Sequence, residues 1–137
     1  MSLFNVFAIS GSAMSAQSVR LNTVASNLAN ANSQSGDPKQ VYRAREPVFA
    51  AMLNGMDGDP AAVGVRVAGM VEKQTAPTRT YDPGNPLANK QGYVYQSNVN
   101  PIEEMANMIS ASRAFRNSVN TFNTAQQLLL ATLKLGE

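Results

Sequence analysis

Cysteine and histidine are both missing from this 137-residue chain. Without cysteine there is no disulfide framework and no thiolate metal site. Without histidine the usual neutral-pH acid–base group and the commonest metal ligand are gone, and a serine hydroxyl has no imidazole to activate it. Long apolar runs are also missing: none approaches the roughly 18 residues that mark a membrane span. Charge is scarce at the start, where Arg20 is the only charged side chain before Asp37. The sequence pI of 9.2 reflects a net charge of only +2, with nothing to titrate between carboxylates and amines. It is no nucleic-acid signature, which needs lysine and arginine gathered on one face. Much of the apolar content is alanine, so bulky core formers are spread thinly.

Composition divides the chain into three segments, 1–32, 33–99 and 100–137. In the first, Phe7, Met14, Leu21 and Leu28 fall on a heptad spacing, with Phe4, Gly11, Ser18 and Ala25 as a mostly small interleaved row. The spacing predicts a helix from about Leu3 to Ala31, roughly 40 Å long. In RLNTVASNLANAN (20–32), Leu21, Val24, Ala25 and Leu28 ask to be buried, yet the polar positions are Asn, Ser and Thr, which form helices poorly. Such side chains suit a crowded bundle, where a charged outer face would be desolvated. The third segment opens with Asn100 as N-cap, Pro101 at the first helical position and Glu103 where a capping box wants an acid. Met108, Phe115, Phe122 and Leu129 then repeat at seven, with small partners Ala111, Ser118, Ala125 and Thr132. Ile102, Met105, Ile109 and Val119 widen that apolar surface. Two stripes of alternating large and small residues can mesh within one chain or against other copies. The middle segment holds all but one of the prolines. VGVRVAGMV (63–71) places Val63, Val65, Val67 and Val71 on one face of a strand. QVYRAREPVF (40–49) is a weaker strand, confined by Pro47 to an edge or an ending. Asp82-Pro83-Gly84 reads as a turn with Gly84 at positive φ, and GYVY (92–95) as one more strand.

Little here carries chemistry. No catalytic, cofactor-binding or metal-ligating set emerges, and an enzyme is not expected. There is no G-x-S-x-G elbow and no phosphate loop. MDGD (56–59) lacks the spaced acids of a calcium loop and reads as a solvated turn. Glu103 and Glu104 are explained by capping and the helix dipole. Lys39, Arg43, Arg45 and Glu46 form a mixed cluster, either an ordinary loop or a contact for an acidic partner or anionic polymer. The apolar patch in MSLFNVFAISGSAMSA has no basic residue before it, so no cleaved signal is expected.

Two motifs then coincide. LNTVASNLANANS (21–33), followed by VYRAREPVF, resembles the N-terminal signature of bacterial flagellar axial proteins, the rod, hook and hook-cap group. NVNPIEEMANMISASRAFRNSVNTFNTAQQLLLATLKLG (98–136) resembles their C-terminal signature. The short length and YDPGNPLANKQGYVYQSNVN (81–100) place the likeness with proximal-rod members. The resemblance implies an α+β, mainly helical fold, with long N- and C-terminal helices pairing as an antiparallel coiled coil around a short β-rich middle region. It implies a structural subunit that polymerises with itself and other rod proteins, after export through the flagellar type III apparatus without a cleaved signal. Its place would be the basal-body rod in the periplasm, transmitting torque, with no cofactor, small-molecule substrate, nucleic acid or membrane span. By that likeness Asn27, Leu28, Asn30, Asn98, Val99, Glu103, Glu104 and Met105 are assembly-contact positions. They join Val24 and the heptad residues Phe7, Met14, Leu21, Met108, Phe115, Phe122 and Leu129. Two other readings of the residues stay open: an anionic-polymer-binding module using Lys39, Arg43, Arg45 and Arg66, and a soluble two-helix adaptor or export chaperone.

Overall fold

The computed structural model describes residues 3–53 and 63–134, so MDGD at 56–59 lies outside the described residues. The elements in chain order are α1 (Leu3–Ala29), β1 (Gln34–Ser35), β2 (Arg45–Leu53), β3 (Val63–Glu72), β4 (Thr78–Tyr81), β5 (Tyr93–Gln96) and α2 (Pro101–Lys134). The α+β expectation holds: two long terminal helices enclose short antiparallel strands. Hydroxyls inside α1 bond back to their own helix, Ser12 Oγ to Ile9 O at 2.8 Å and Thr23 Oγ1 to Val19 O at 2.9 Å. A polar side chain satisfied this way needs no outside partner. α1 stops where Asn30 donates both its backbone N–H (3.2 Å) and its side-chain amide (2.8 Å) to Ser26 O, answering a helix end's orphan carbonyl. α2 opens as expected, with Asn100 Oδ1 accepting from Ile102 N at 3.1 Å and Glu103 N at 3.5 Å. The carboxylate of Glu103, however, reaches Lys73 Nζ at 3.4 Å, an ion pair with another element.

The helices run antiparallel. Phe7 meets Phe122 edge to face with ring centroids 4.9 Å apart, and Arg20 Nη2 donates to Asn107 Oδ1 at 3.1 Å. Small residues floor the seam, Ala111 and Ala125 on α2 being fully buried. In α1 the second seam row differs from expectation. Phe4, Ser18 and Ala25 turn to solvent, whereas Ser10, three positions after Phe7, is buried; Val24 is buried as its spacing asked. The cause is the β2–β3 ribbon, which covers the α1 flank carrying Ser12 and Thr23 and draws the buried arc toward itself. There Ser12 Oγ accepts the Val65 N–H at 3.1 Å, and Thr23 Oγ1 lies 3.9 Å from Met70 Sδ.

The strands form two sheets, one of order β1-β5-β4 and one pairing β2 with β3. In QVYRAREPVF only the part from Arg45 is strand; residues 40–44 have no ladder partner. β3 spans the expected residues, but Val48 pairs with Gly69 and Phe49 with Val67. The extra residue, Ala68, makes a bulge that reverses the alternation. Val71 therefore leaves the face of Val65 and Val67 and is 52% exposed. The turn after Asp82 forms, Asn85 N–H donating to Asp82 O at 3.2 Å. Positive φ falls instead on Gly92, at 79°, where a side chain would strike the Tyr81 ring.

Candidate assembly interface

Four separate segments of sequence converge beside the C-terminal end of α1. Asn27, 1% exposed, lies near the C-terminus of α1. Its Oδ1 accepts from Tyr42 Oη at 2.8 Å and from the Arg45 N–H at 2.9 Å, while its Nδ2 donates to Arg45 O at 2.8 Å. One residue earlier, the Ala44 N–H donates to Asn98 Oδ1 at 2.7 Å. Asn98 Nδ2 in turn donates to Lys73 O at 3.1 Å and Thr75 O at 2.8 Å, and the Lys73 N–H donates to Ala44 O at 2.8 Å. Two asparagines thus clamp the irregular stretch 42–44, which has no ladder partner, and Arg45, where β2 begins. Val41, Ala44, Val94 and Val99 are buried around this node. Sequence reasoning singled out Asn27 and Asn98 only through family likeness and missed Tyr42 and Ala44. A run lacking a strand partner beside two amides was the available signal.

The remaining expected contact positions separate by depth. Val24 and Val99 are buried inside the subunit, and Asn30 is occupied in capping α1. Phe7, Met14, Leu21, Leu28, Met108, Phe115, Phe122 and Leu129 lie half-buried along the seam, their outer edges reaching solvent. Met105 faces outward at 51% exposure, in line with Ile102 at 79% and Ile109 at 54%. These positions recur every three or four residues and so form one stripe on α2. Leu128, Leu130 and Leu133 are also more than half exposed near its far end. Three consecutive leucines at 128–130 must point three ways from a helix, and that was the legible sign of an outward cluster.

Beside the node is a cleft of about 420 Å³ lined by Arg20, Arg45, Glu46, Glu103, Glu104 and Asn107, among others. Glu104 forms its inner wall. Only 6% exposed, it shares a hydrogen bond with Asn27, and its Oε2 has no partner among the described residues. Burial is the main cause holding its carboxyl above the ordinary carboxylate value; the Asn27 bond opposes this, the neighbouring Glu103 and Glu46 charges add to it, and Lys73 opposes it. First-turn capping therefore explains only part of this residue. A second basin, about 650 Å³, gathers Lys39, Tyr42, Arg43, Arg45 and Glu72. Arg45 there stacks on Tyr42 (5.7 Å to the ring centroid) and pairs with Glu72 at 3.5 Å; Arg66 does not line it. No helix among the described residues is long and apolar enough to cross a membrane.

Family models match both ends of the chain: "Flagella basal body rod protein" over residues 7–34 and "Flagellar basal body rod FlgEFG protein C-terminal" over residues 90–135. The two matches take in α1 from Phe7 onward with its cap, and α2 with β5 and Asn98. Flagellar basal-body rod protein FlgC of Escherichia coli O6:H1 is 47% identical over 137 residues, covering both chains completely. That of Salmonella typhimurium LT2 is 46% identical with the same coverage. That of Aquifex aeolicus is 37% identical over 134 residues, 98% of this chain and 97% of the relative. A node built from both end signatures, on a chain matched from end to end, leads to one conclusion: this chain belongs to the flagellar basal-body rod protein C family.

Proposed function

We propose that this chain is a structural subunit of the proximal rod, polymerising with itself and with other rod proteins through its two terminal helices. The observation that carries the reading is the outward stripe Ile102, Met105 and Ile109 on a helix whose buried seam is made largely of alanine. A subunit meant to stay alone would reverse that assignment, with its large residues inside. In the polymer these side chains and the outer edges of Met14, Phe115 and Leu129 seat against neighbouring helices, giving a coiled-coil core. On this reading segments 1–32 and 100–137 build the core and segment 33–99 lies outside it. Asn27, Asn98, Val24 and Val99 serve assembly by fixing the shape of the surface, and Glu103 and Met105 by touching the neighbour. The subunit passes through the flagellar type III apparatus without a cleaved signal and functions in the periplasm, where a continuous helical lattice carries torque.

The test is Ile109→Lys. The residue lies on the surface, so the substitution shifts subunit stability by only about 0.5 kcal/mol. It nevertheless puts a charge into the packed contact. Thermal melting should be nearly unchanged, while sedimentable polymer and restoration of swimming in a strain lacking the protein are lost. Normal polymer and swimming with Ile109→Lys would overturn the reading.

A further inference from the structure

We propose that the cleft walled by Glu104 receives the Arg113 guanidinium of a second copy of this chain. The inference rests on the self-assembly reading and deepens it by naming one contact. Three observations carry it. First, Glu104 is a buried carboxylate in the wall of the cleft, and its Oε2, itself closed to solvent, has no partner among the described residues, an arrangement that costs stability until a donor arrives. Second, the cations already beside it are engaged elsewhere. Arg20 donates to Asn107 at 3.1 Å, Arg45 pairs with Glu72 at 3.5 Å, and Lys73 lies 3.4 Å from Glu103 and 3.9 Å from Glu46. None of these cations bonds to Oε2, which is left for a further donor.

Third, the chain carries a matching group. Between Glu104 and Glu137 there is no acidic residue, yet Arg113, Arg116 and Lys134 are present. α2 is thus acidic at its first turn and basic beyond, so two copies offset along their axes are complementary. Arg116 bonds to Ser112 on its own helix, whereas the exposed Arg113 has no polar partner among the described residues. Arg113 stands one turn beyond Ile109 on the same outward stripe. A copy packing on that stripe would therefore bring its cleft to Arg113. Guanidinium suits the role because it is weakly hydrated and carries several donors, so it can enter a cleft and satisfy a carboxylate oxygen. Its arrival also favours the ionised form of Glu104 that burial disfavours.

Zero-length coupling reads this contact directly. Arg113→Lys retains the charge and supplies an amine that carbodiimide joins to a carboxylate already touching it. Within one chain residues 104 and 113 stand about 13 Å apart along the helix, so a bond between them must link two copies. Polymer grown from mixed wild-type and Arg113→Lys subunits should give, on mass mapping, a peptide in which the new amine at position 113 is joined to Glu103 or Glu104. Polymer without either linkage overturns the cleft assignment and leaves self-assembly standing. Wild-type subunits that never sediment overturn both. Charge reversal supplies the second arm. Arg113→Glu should raise the concentration needed for sedimentation at least about tenfold, and adding Glu103→Lys should recover much of that loss. A double variant no better than Arg113→Glu alone would also refute the pairing.

Discussion

Each polar atom on the Asn27 side chain has a partner inside the fold, so truncation strands several groups at once. Asn27→Ala removes the bonds to both backbone groups of Arg45 and to Tyr42 Oη, which keeps its 3.4 Å contact with Ser26 Oγ. At 1–3 kcal/mol for each buried group left unsatisfied, the loss should reach roughly 3 kcal/mol or more. Denaturant unfolding measures it, and a change below about 1 kcal/mol would show that water replaces these bonds freely. Glu104 behaves in the opposite sense. Its folded-state carboxyl is raised above the ordinary 4.5, chiefly by burial. A raised acid binds its proton more tightly when folded, so its stabilising contribution is complete below the unfolded value and lost as pH rises through the folded one. The groups facing it are Asn27 and Arg20 from α1, Glu103 and Asn107 from α2, Arg45 and Glu46 from β2, and Lys73 after β3. Glu104→Gln keeps an acceptor for Asn27 and removes the buried charge. The variant's melting temperature should therefore exceed the wild type's at pH 7, with the gap closing as pH falls to the ordinary carboxylate value of 4.5 and below. Parallel pH profiles for the two proteins would contradict this account.

At the level of elements, the outer ladder depends on one glycine. Gly92 sits at φ 79°, and a β-carbon there would come within 2.8 Å of Tyr81 Cε2. Gly92→Ala combines left-handed strain with a clash against the ring that packs 5.2 Å from Tyr93, a cost of about 2 kcal/mol. Faster amide exchange across Thr78–Tyr81 and Tyr93–Gln96, with α1 and α2 unaffected, is the expected signature. The helices themselves were legible because heptad rows and an N-cap are local signals, and Phe7 does meet Phe122. The second row of α1 was legible at Val24 only, because the exposure of Phe4 and Ala25 and the burial of Ser10 depend on which flank the ribbon covers. The same limit applies to the node. Asn27 and Asn30 read locally as weak helix formers. Their use, clamping residues 42–45 and capping Ser26, is set by groups that only the folded chain brings near. The β3 bulge was hidden for a similar reason, since register belongs to a pair of strands.

For the whole molecule, these features make a subunit firm at one end and loose at the other. The node ties α1, residues 41–45 and the entry to α2 together through the side-chain amides of Asn27 and Asn98, whereas the contacts at the opposite end are apolar, among them the edge-to-face pair of Phe7 and Phe122 and the packing around Ala125. With Phe7 opposite Phe122, the antiparallel pairing brings Leu3 level with about residue 126. The last two turns of α2 carry exposed Leu128, Leu130 and Leu133. A helix end whose large apolar side chains face water is marginal on its own. The free subunit should therefore show a gradient of amide exchange. Residues 23–28, 41–45 and 94–104 should exchange slowly, and residues 3–10 and 126–134 orders of magnitude faster. Once polymer forms, the loose ends should gain at least about a hundredfold protection, the scale of a helix passing from marginal to packed. Uniform slow exchange in the free subunit would mean that the terminal helices are complete before assembly. A gradient that persists unchanged in polymer would place the intersubunit contacts elsewhere, on the ribbon or the outer strands. The predicted pattern follows from where this sequence places its hydrogen-bonded asparagines, Asn27 and Asn98, and where it leaves its leucines exposed.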